Sequence, residues 1–327
     1  MISLVSAALC GSALAVDAPS REHLYGNTDI FVINLDGKGR RDLTRSHRGE
    51  DSSPALSPDG RRLAYNRVRS EGGYALTSVY VMPARGGPSR RIVGPEAVGP
   101  TWSPDGKLIA FGRGERVGVV RPDGRGLRWI PDAVGATWLN RRRLAFLTEV
   151  GDFAEAIGIS TADGGDSNVI MRAEDVGAVE IADVSAAPNG RAVVFTTAIQ
   201  DFERHYSLSL VDGSSRLVWD GHADVAWSPT SRRLVVASPE KGLITVGPGG
   251  KKPRPFPRAR KLQPKLPSWS PDGKHIAFLG APDDFGTFDL MLVNVRTRSL
   301  RVVDAGVEYS RPLWSPDGRR LYYVSKL

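Results

Sequence analysis

The sequence has few residues suited to disulfide, thiol or hydrolase chemistry. It contains one cysteine, Cys10, and five histidines among 327 residues. A single cysteine excludes an intramolecular disulfide, so packing and hydrogen bonds must hold the fold together. The Gly-x-Ser-x-Gly pentapeptide of α/β-hydrolases does not occur, which argues against a serine hydrolase. Past the first residues, no apolar run reaches the roughly 18 residues of a membrane-spanning helix.

The composition is instead rich in turn-forming residues and positive charge. The 36 glycines and 23 prolines, with 41% hydrophobic residues, favour a globular all-β chain with many turns. The formal net charge is +8. One basic stretch contains no acid and carries Lys251, Lys252, Arg254, Arg258, Arg260, Lys261 and Lys265. It can attract acidic polymers or can be a solvated surface, and no nucleic-acid recognition motif accompanies it.

The N-terminal residues predict export. Residues 1–15 are largely apolar and end in Ala13-Leu14-Ala15, which matches a signal-peptide cleavage site. The positively charged segment that usually opens a signal is missing. We predict a signal peptide over residues 1–15, a linker over residues 16–23, and a secreted, periplasmic or envelope-associated mature protein.

Seven copies of one turn motif organise the rest of the chain. The best copies read Trp-Ser-Pro-Asp-Gly followed by Lys or Arg. In chain order the copies begin at Leu56, Trp102, Trp138, Ala186, Trp227, Trp269 and Trp314. Their spacing of 36 to 48 residues is close to the roughly 40 to 50 residues of a four-stranded propeller blade.

The motif itself predicts a β-turn and not a catalytic box. Proline sets φ at the second position of a type I turn, and the closing glycine accepts a positive φ. An apolar strand follows, and a second tight turn, usually Asp-Gly, closes a later strand. Each repeat is therefore predicted to hold strands A to D. The A–B and C–D turns then share one face of the disc, and the B–C loops and D–A connections share the other.

The two ends of the chain complete one blade between them. Residues after Trp314 suffice for strands A and B, and the segment from Asp29 to Thr44 has the pattern of strands C and D. Their pairing would remove the last exposed strand edges. We predict an all-β, seven-bladed propeller of four-stranded antiparallel blades over residues 24–327, closed by pairing of the N- and C-terminal strands.

The pattern Pro-x-Trp-Ser-Pro-Asp-Gly-Lys-x-Ile-Ala-Phe, seen at residues 100–111, resembles the WD40-like repeat of TolB-type propellers. TolB carries an α/β domain ahead of its propeller, and too few residues precede Asp29 to hold one. The resemblance implies ligand binding around the channel mouth, on the face of the B–C loops and D–A connections.

Three B–C loops on this face share an Asp-Phe tip, seven residues beyond the aromatic residue of strand B. The tips are Asp152-Phe153, Asp201-Phe202 and Asp284-Phe285. They can form an exposed recognition patch, or the rings can pack on a neighbouring blade while the aspartates cap the loops.

Two of the histidines, His205 and His222, are also predicted on this face. With Asp201 or Asp224 they could hold a metal, although no spacing typical of a metal site is present. We therefore predict a non-catalytic extracytoplasmic binding or scaffold propeller with no cofactor and no metal. It is expected to be a monomer that binds a protein or cell-envelope partner through the tips, His205 and His222. The alternatives are a metal-assisted lyase or lactonase at the channel mouth, and an acidic-polymer binder acting through residues 251–265.

Overall fold

The computed structural model describes residues 28–45, 49–71, 74–150, 153–199, 202–281 and 288–326. Within these ranges the chain forms 28 strands, β1 to β28, and two short 3-10 helices at Ala173–Val176 and Pro257–Leu262. The all-β fold class is confirmed.

The strands pair into antiparallel four-stranded units, which we number as blades in chain order. The first three blades each use four consecutive strands, in the order A to D. Blade 1 comprises β3 (Glu50–Leu56), β4 (Arg62–Glu71), β5 (Tyr74–Pro83) and β6 (Arg90–Val93). Blade 2 comprises β7 (Val98–Trp102), β8 (Ile109–Gly112), β9 (Arg116–Val120) and β10 (Arg128–Pro131). Blade 3 comprises β11 (Val134–Trp138), β12 (Arg143–Val150), β13 (Phe153–Thr161) and β14 (Asn168–Arg172).

The next three blades follow the same order. Blade 4 comprises β15 (Glu180–Ala186), β16 (Ala192–Ile199), β17 (Phe202–Ser209) and β18 (Ser215–Asp220). Blade 5 comprises β19 (Asp224–Trp227), β20 (Leu234–Ser238), β21 (Gly242–Val246) and β22 (Arg254–Phe256). Blade 6 comprises β23 (Lys265–Trp269), β24 (His275–Gly280), β25 (Phe288–Asn294) and β26 (Leu300–Val307).

The last unit, blade 7, joins the two ends of the described chain. Its strands are β27 (Leu313–Trp314), β28 (Arg320–Lys326), β1 (Thr28–Asn34) and β2 (Arg41–Asp42). β1 pairs with β28 in unbroken register, from Thr28 opposite Lys326 to Asn34 opposite Arg320. The predicted pairing of N- and C-terminal strands is therefore observed. A single bridge between Val307 and Ser325 links blade 7 to blade 6.

The A strands lie innermost, because A strands of successive blades contact one another. The contacts run from β3 to β7, β11 and β15, and from β19 through β23 and β27 to β3. Tryptophans reinforce these contacts by donating from the indole to a carbonyl of the preceding A strand. The donor and acceptor pairs are Trp102 with Ala55, Trp138 with Thr101, Trp227 with Ser185 and Trp314 with Ser268. Tryptophan thus serves as inter-blade packing.

The A–B turns also pack blade against blade. Gly60 has a φ of +68°, and a Cβ built on it would lie 2.9 Å from Cδ of Pro316 in the turn of blade 7. Glycine is required there for its backbone conformation and for the close approach. Blade 5 has Ser231 at this position with a φ of +57°. The Ser231 hydroxyl accepts a hydrogen bond of 3.1 Å from the Asn189 amide in the turn of blade 4.

An aromatic residue near the middle of strand B fills the space between sheets in most blades. Each of these side chains is at most 2% exposed, and they are Tyr65, Phe111, Phe146, Phe195, Phe278 and Tyr323. Gly118 on the neighbouring strand makes room for one of them, since a Cβ there would lie 2.2 Å from Cζ of Phe111. Close packing of this kind holds the sheets together without disulfides. No helix among the described residues is long and apolar enough to cross a membrane.

Candidate functional site at the channel mouth

Phe202 is the tip residue whose side chain the structure describes. It opens β17 and is 71% exposed. Phe153 opens β13, but its side chain lies outside the described part of the chain. Asp152, Asp201, Asp284 and Phe285 also lie outside the described residues. The patch of three Asp-Phe tips therefore stays a prediction, with Phe202 available for contact.

Glu203 lies beside both predicted histidines. Its Oε1 is 3.4 Å from Nδ1 of His222, and its Oε2 is 3.8 Å from Nε2 of His205. Glu203 is in strand C of blade 4, and His222 is in the connection to blade 5 with its side chain 55% exposed. This carboxylate was not among the predicted site residues, and it lies within 4 Å of both imidazoles.

His205 lies inside strand β17, where it pairs with Thr196, and not in a loop as predicted. Strand β17 begins at Phe202, and the alternation of its side chains turns His205 inward. The residue is 1% exposed, and its Nδ1 is 2.9 Å from Oγ1 of Thr196. Its Nε2 has no hydrogen-bond partner among the described residues. Burial lowers the pKa of His205 to about 4, so the imidazole is neutral at pH 7.

Asp183, Asp224 and Arg311 form a second group at the same mouth. Asp183 is in strand A of blade 4 and Asp224 opens strand A of blade 5, while Arg311 precedes strand A of blade 7. Asp224 is positioned by the Leu266 amide, which donates to its Oδ2 at 2.9 Å. Asp183 is solvent-accessible and yet surrounded by protein, as expected for a side chain in a channel. Desolvation raises the pKa of Asp183, and the charge of Arg311 opposes this shift.

Tyr309 adds a phenol next to these charges. Its ring lies 5.4 Å from that of Phe288. Burial raises the pKa of Tyr309, and the charge of Asp224 raises it further. The phenol therefore stays protonated and can donate a hydrogen bond at the mouth.

The repeat contains a signal that would have identified the second group. Asp183, Asp224 and Arg311 each stand three residues before the first residue of their repeat copy. The other blades have small or apolar residues there, namely Ser53, Gly99, Gly135 and Leu266. Charged residues at this register position are therefore confined to blades 4, 5 and 7.

The group can bind a cation or move a proton. Three carboxylates (Asp183, Asp224 and Glu203) accompany one guanidinium, and the exposed imidazole of His222 lies against Glu203. No group of three or more His, Cys, Asp or Glu side chains is arranged to hold a metal within the part of the chain that the structure describes.

Comparisons with known proteins agree on the fold. Dipeptidyl-peptidase 5 of Porphyromonas gingivalis is 22% identical over 338 residues, which cover 95% of this chain and 42% of the peptidase. The structure of a TolB-designated protein from Agrobacterium tumefaciens has a TM-score of 0.60 at 17% identity, covering 92% of this chain and 99% of its own. Oligogalacturonate lyase in complex with manganese has a TM-score of 0.61 at 14% identity, covering 92% and 90%.

These similarities confirm the TolB-like β-propeller as the fold of this chain. No protein-family model matches the sequence. The chain spans less than half the length of the peptidase it matches.

The prediction that the protein is not an enzyme was wrong. One curated relative is a dipeptidyl peptidase, and one structural neighbour is a lyase. The reasoning failed because the absence of a Gly-x-Ser-x-Gly pentapeptide excludes one chemistry and not catalysis in general.

Proposed function

We propose that the protein is an extracytoplasmic propeller that binds a basic segment of a protein partner at its channel mouth. The observation that supports this most is the excess of negative charge formed by Asp183, Asp224 and Glu203 in a chain whose net charge is +8. The positively charged surface repels a cation, whereas the carboxylates at the mouth attract it. The electrostatic field of the protein therefore favours cation binding at the mouth over the rest of the surface.

The surroundings of the carboxylates favour a strong interaction with a cation. Asp183 is surrounded by protein, and desolvation raises its pKa. An ammonium or guanidinium group next to it would stabilise the charged form. Phe202 lies beside Glu203 in sequence and is 71% exposed, which offers an apolar contact to the rest of a bound segment. The Asp-Phe tips of blades 3 and 6 would extend this contact.

A labelled hexalysine peptide tests the proposal, with hexaglutamate as the opposite probe. Glu203→Gln and Asp183→Asn keep the size of each side chain and remove its charge. Together they should weaken hexalysine binding by about tenfold, since each loses one partly desolvated charge contact. Glu115→Gln, an exposed residue in the B–C turn of blade 2, is the matched control on the same face.

Three results would contradict the proposal. Hexalysine could fail to bind, hexaglutamate could bind as tightly, or Glu115→Gln could weaken binding as much as the other two changes. Phe202→Ala adds a test of the tip, because an exposed ring contributes to binding while its loss leaves the melting temperature nearly unchanged.

We propose catalysis at the same mouth as a second candidate function. The observation that favours it is the contact of 3.4 Å between Glu203 and the exposed His222. A carboxylate can orient an imidazole that acts as a general base. Turnover of peptide, lactone and uronate-polymer substrates, each with and without added Mn²⁺, tests this candidate. Activity that survives His222→Ala would rule out His222 as the base.

A further inference from the structure

The basic stretch of residues 251–265 begins at the outer edge of blade 5 and ends in strand A of blade 6. Lys251 and Lys252 follow the C–D turn of blade 5, Arg254 is in its outermost strand β22, and Arg258 and Arg260 are in the 3-10 helix Pro257–Leu262. All five residues are exposed. The residues from Lys251 to Arg258 therefore lie on the outer rim of blade 5, whereas Lys265 opens strand A of blade 6 and precedes Leu266, whose amide donates to Asp224.

Within the part of the chain that the structure describes, no acidic side chain pairs with the positive charge on this rim. None of the seven cations in the stretch forms an ion pair with an acidic side chain among the described residues. Arg233, from the start of β20, adds to the crowding: its guanidinium donates to the Lys252 carbonyl at 3.0 Å. Burial and the charge of Arg254 lower the pKa of Arg233. Like charges are thus held close together, with no acidic counterion among the residues that the structure describes.

A cleft of about 320 Å³ opens on this rim between blades 5 and 6. Arg258 lines it from the blade 5 side and Arg298 from the C–D turn of blade 6. Arg298 donates from Nη1 to the Pro255 carbonyl at 3.1 Å, which fixes its position and leaves its other donors available. Between the two arginines lie apolar residues, including Pro257 and Leu300, and the hydroxyls of Thr297 and Ser299.

We propose that this rim cleft binds a linear acidic polysaccharide, with Arg258 and Arg298 pairing with carboxylates on the polymer. Guanidinium groups match carboxylates in shape and can donate two parallel hydrogen bonds. The apolar and hydroxyl-bearing lining suits a sugar ring, which has apolar faces and polar edges. Lys251, Lys252 and Arg254 extend the positive surface beyond the cleft. They could therefore contact further sugar units of the same polymer.

The same features disfavour two other polyanions. Single-stranded nucleic acid binds such surfaces by stacking its bases on exposed aromatic rings, but the aromatic residue of the cleft, Phe256, is only 5% exposed. An anionic bilayer is broad and gently curved, and it could not reach charges on the walls of a cleft. Charged residues on an outer strand can also act only to prevent edge-to-edge aggregation, and this role needs no ligand.

Alginate, a linear polyuronate, is the probe, and neutral dextran, single-stranded DNA and phosphatidylglycerol vesicles are the comparisons. The double variant Arg258→Ala with Arg298→Ala should weaken alginate binding about tenfold, because two exposed charge contacts are lost. Binding by the unchanged protein should fall steeply with salt. Arg298→Lys keeps the positive charge but cannot donate two parallel hydrogen bonds. Its affinity for alginate should therefore lie between that of the unchanged protein and that of the double variant.

The matched control is Arg85→Ala with Arg125→Ala, which removes the same charge from exposed C–D turns of blades 1 and 2. It should bind alginate like the unchanged protein. The proposal is overturned if the rim variant keeps full affinity, if the control loses as much, or if DNA or vesicles compete more strongly than alginate. A rim variant that aggregates while its soluble fraction binds normally would assign the charges to edge protection. The mouth variants Glu203→Gln and Asp183→Asn should leave alginate binding intact, which separates this proposal from the proposed function.

Discussion

Arg67 and Asp51 form a two-pronged ion pair inside blade 1, with Nε to Oδ1 and Nη2 to Oδ2 both at 2.7 Å. The Asp51 side chain is fully buried and that of Arg67 is 10% exposed. Burial raises the pKa of Asp51, and Arg67 opposes the shift. Arg67→Ala would leave a buried carboxylate without its partner. We expect this change to lower the free energy of unfolding by about 3–5 kcal/mol, measured by urea denaturation.

An exposed ion pair provides the control. Arg204 and Asp220 lie 3.1 Å apart, but their side chains are 46% and 60% exposed. Arg204→Ala should leave the free energy of unfolding almost unchanged, because solvent screens an exposed ion pair. Replacing both buried partners, Asp51→Leu with Arg67→Met, should recover much of the loss. Equal losses for the buried and exposed pairs would contradict the prediction.

Phe31 tests the pairing of the chain ends. It is 2% exposed in β1, and its ring stacks on Tyr323 in β28 at 6.0 Å between centroids. Phe31→Ala should cost about 3–5 kcal/mol of stability, since it removes a buried ring between strands from opposite ends of the chain. Phe202→Ala is the control, because its ring is exposed and its loss should cost less than about 0.5 kcal/mol. Similar melting temperatures for both variants would show that β1 contributes little to the fold.

The architecture could be predicted because its signals are local and repeated. The Ser-Pro-Asp-Gly turn recurs with the glycine φ near +67° that the sequence requires, as at Gly106 and Gly273. Tryptophan at the start of the motif packs between blades, where the indole of Trp102 donates to the Ala55 carbonyl. The pairing of chain ends followed from counting strands, because each repeat has the same four.

The candidate site could be predicted only in part. His222 lies in the connection between blades 4 and 5, whereas His205 was expected in a loop and is buried in β17. Glu203 was missed because its role depends on its contacts with His205 in the same strand and His222 in the following connection. No sequence motif indicates these contacts. Asp183 was missed because it lies inside strand A, whereas the site residues were expected in the B–C loops and D–A connections. The sequence of one repeat does not predict which side chains of neighbouring blades contact each other.

Export is a separate prediction from the N-terminal residues. If residues 1–15 are a signal peptide, the native protein should begin near Val16 and be recovered outside the cytoplasm. N-terminal sequencing of protein purified from its own cells measures this directly. Intact Met1 in a cytosolic fraction would show the prediction to be wrong. It would also remove the extracytoplasmic part of the proposed function and leave the binding site untouched.

The buried His205 predicts a specific loss of stability in mild acid. Burial lowers its folded-state pKa to about 4, whereas an unfolded histidine titrates near about 6.5. Between these values the unfolded chain binds more protons, so the free energy of unfolding must fall as the pH drops from about 6.5 to 4, by up to about 3 kcal/mol. The turn aspartates behave differently: the Ser57 hydroxyl lowers the pKa of Asp59, so their contribution is present above about pH 4 and is lost below it. Urea denaturation at pH 7, 5.5 and 4.5 separates the two windows. His205→Gln should flatten the dependence across this range, and the exposed His222→Gln should not. An unchanged slope in His205→Gln would assign the acid sensitivity to other groups.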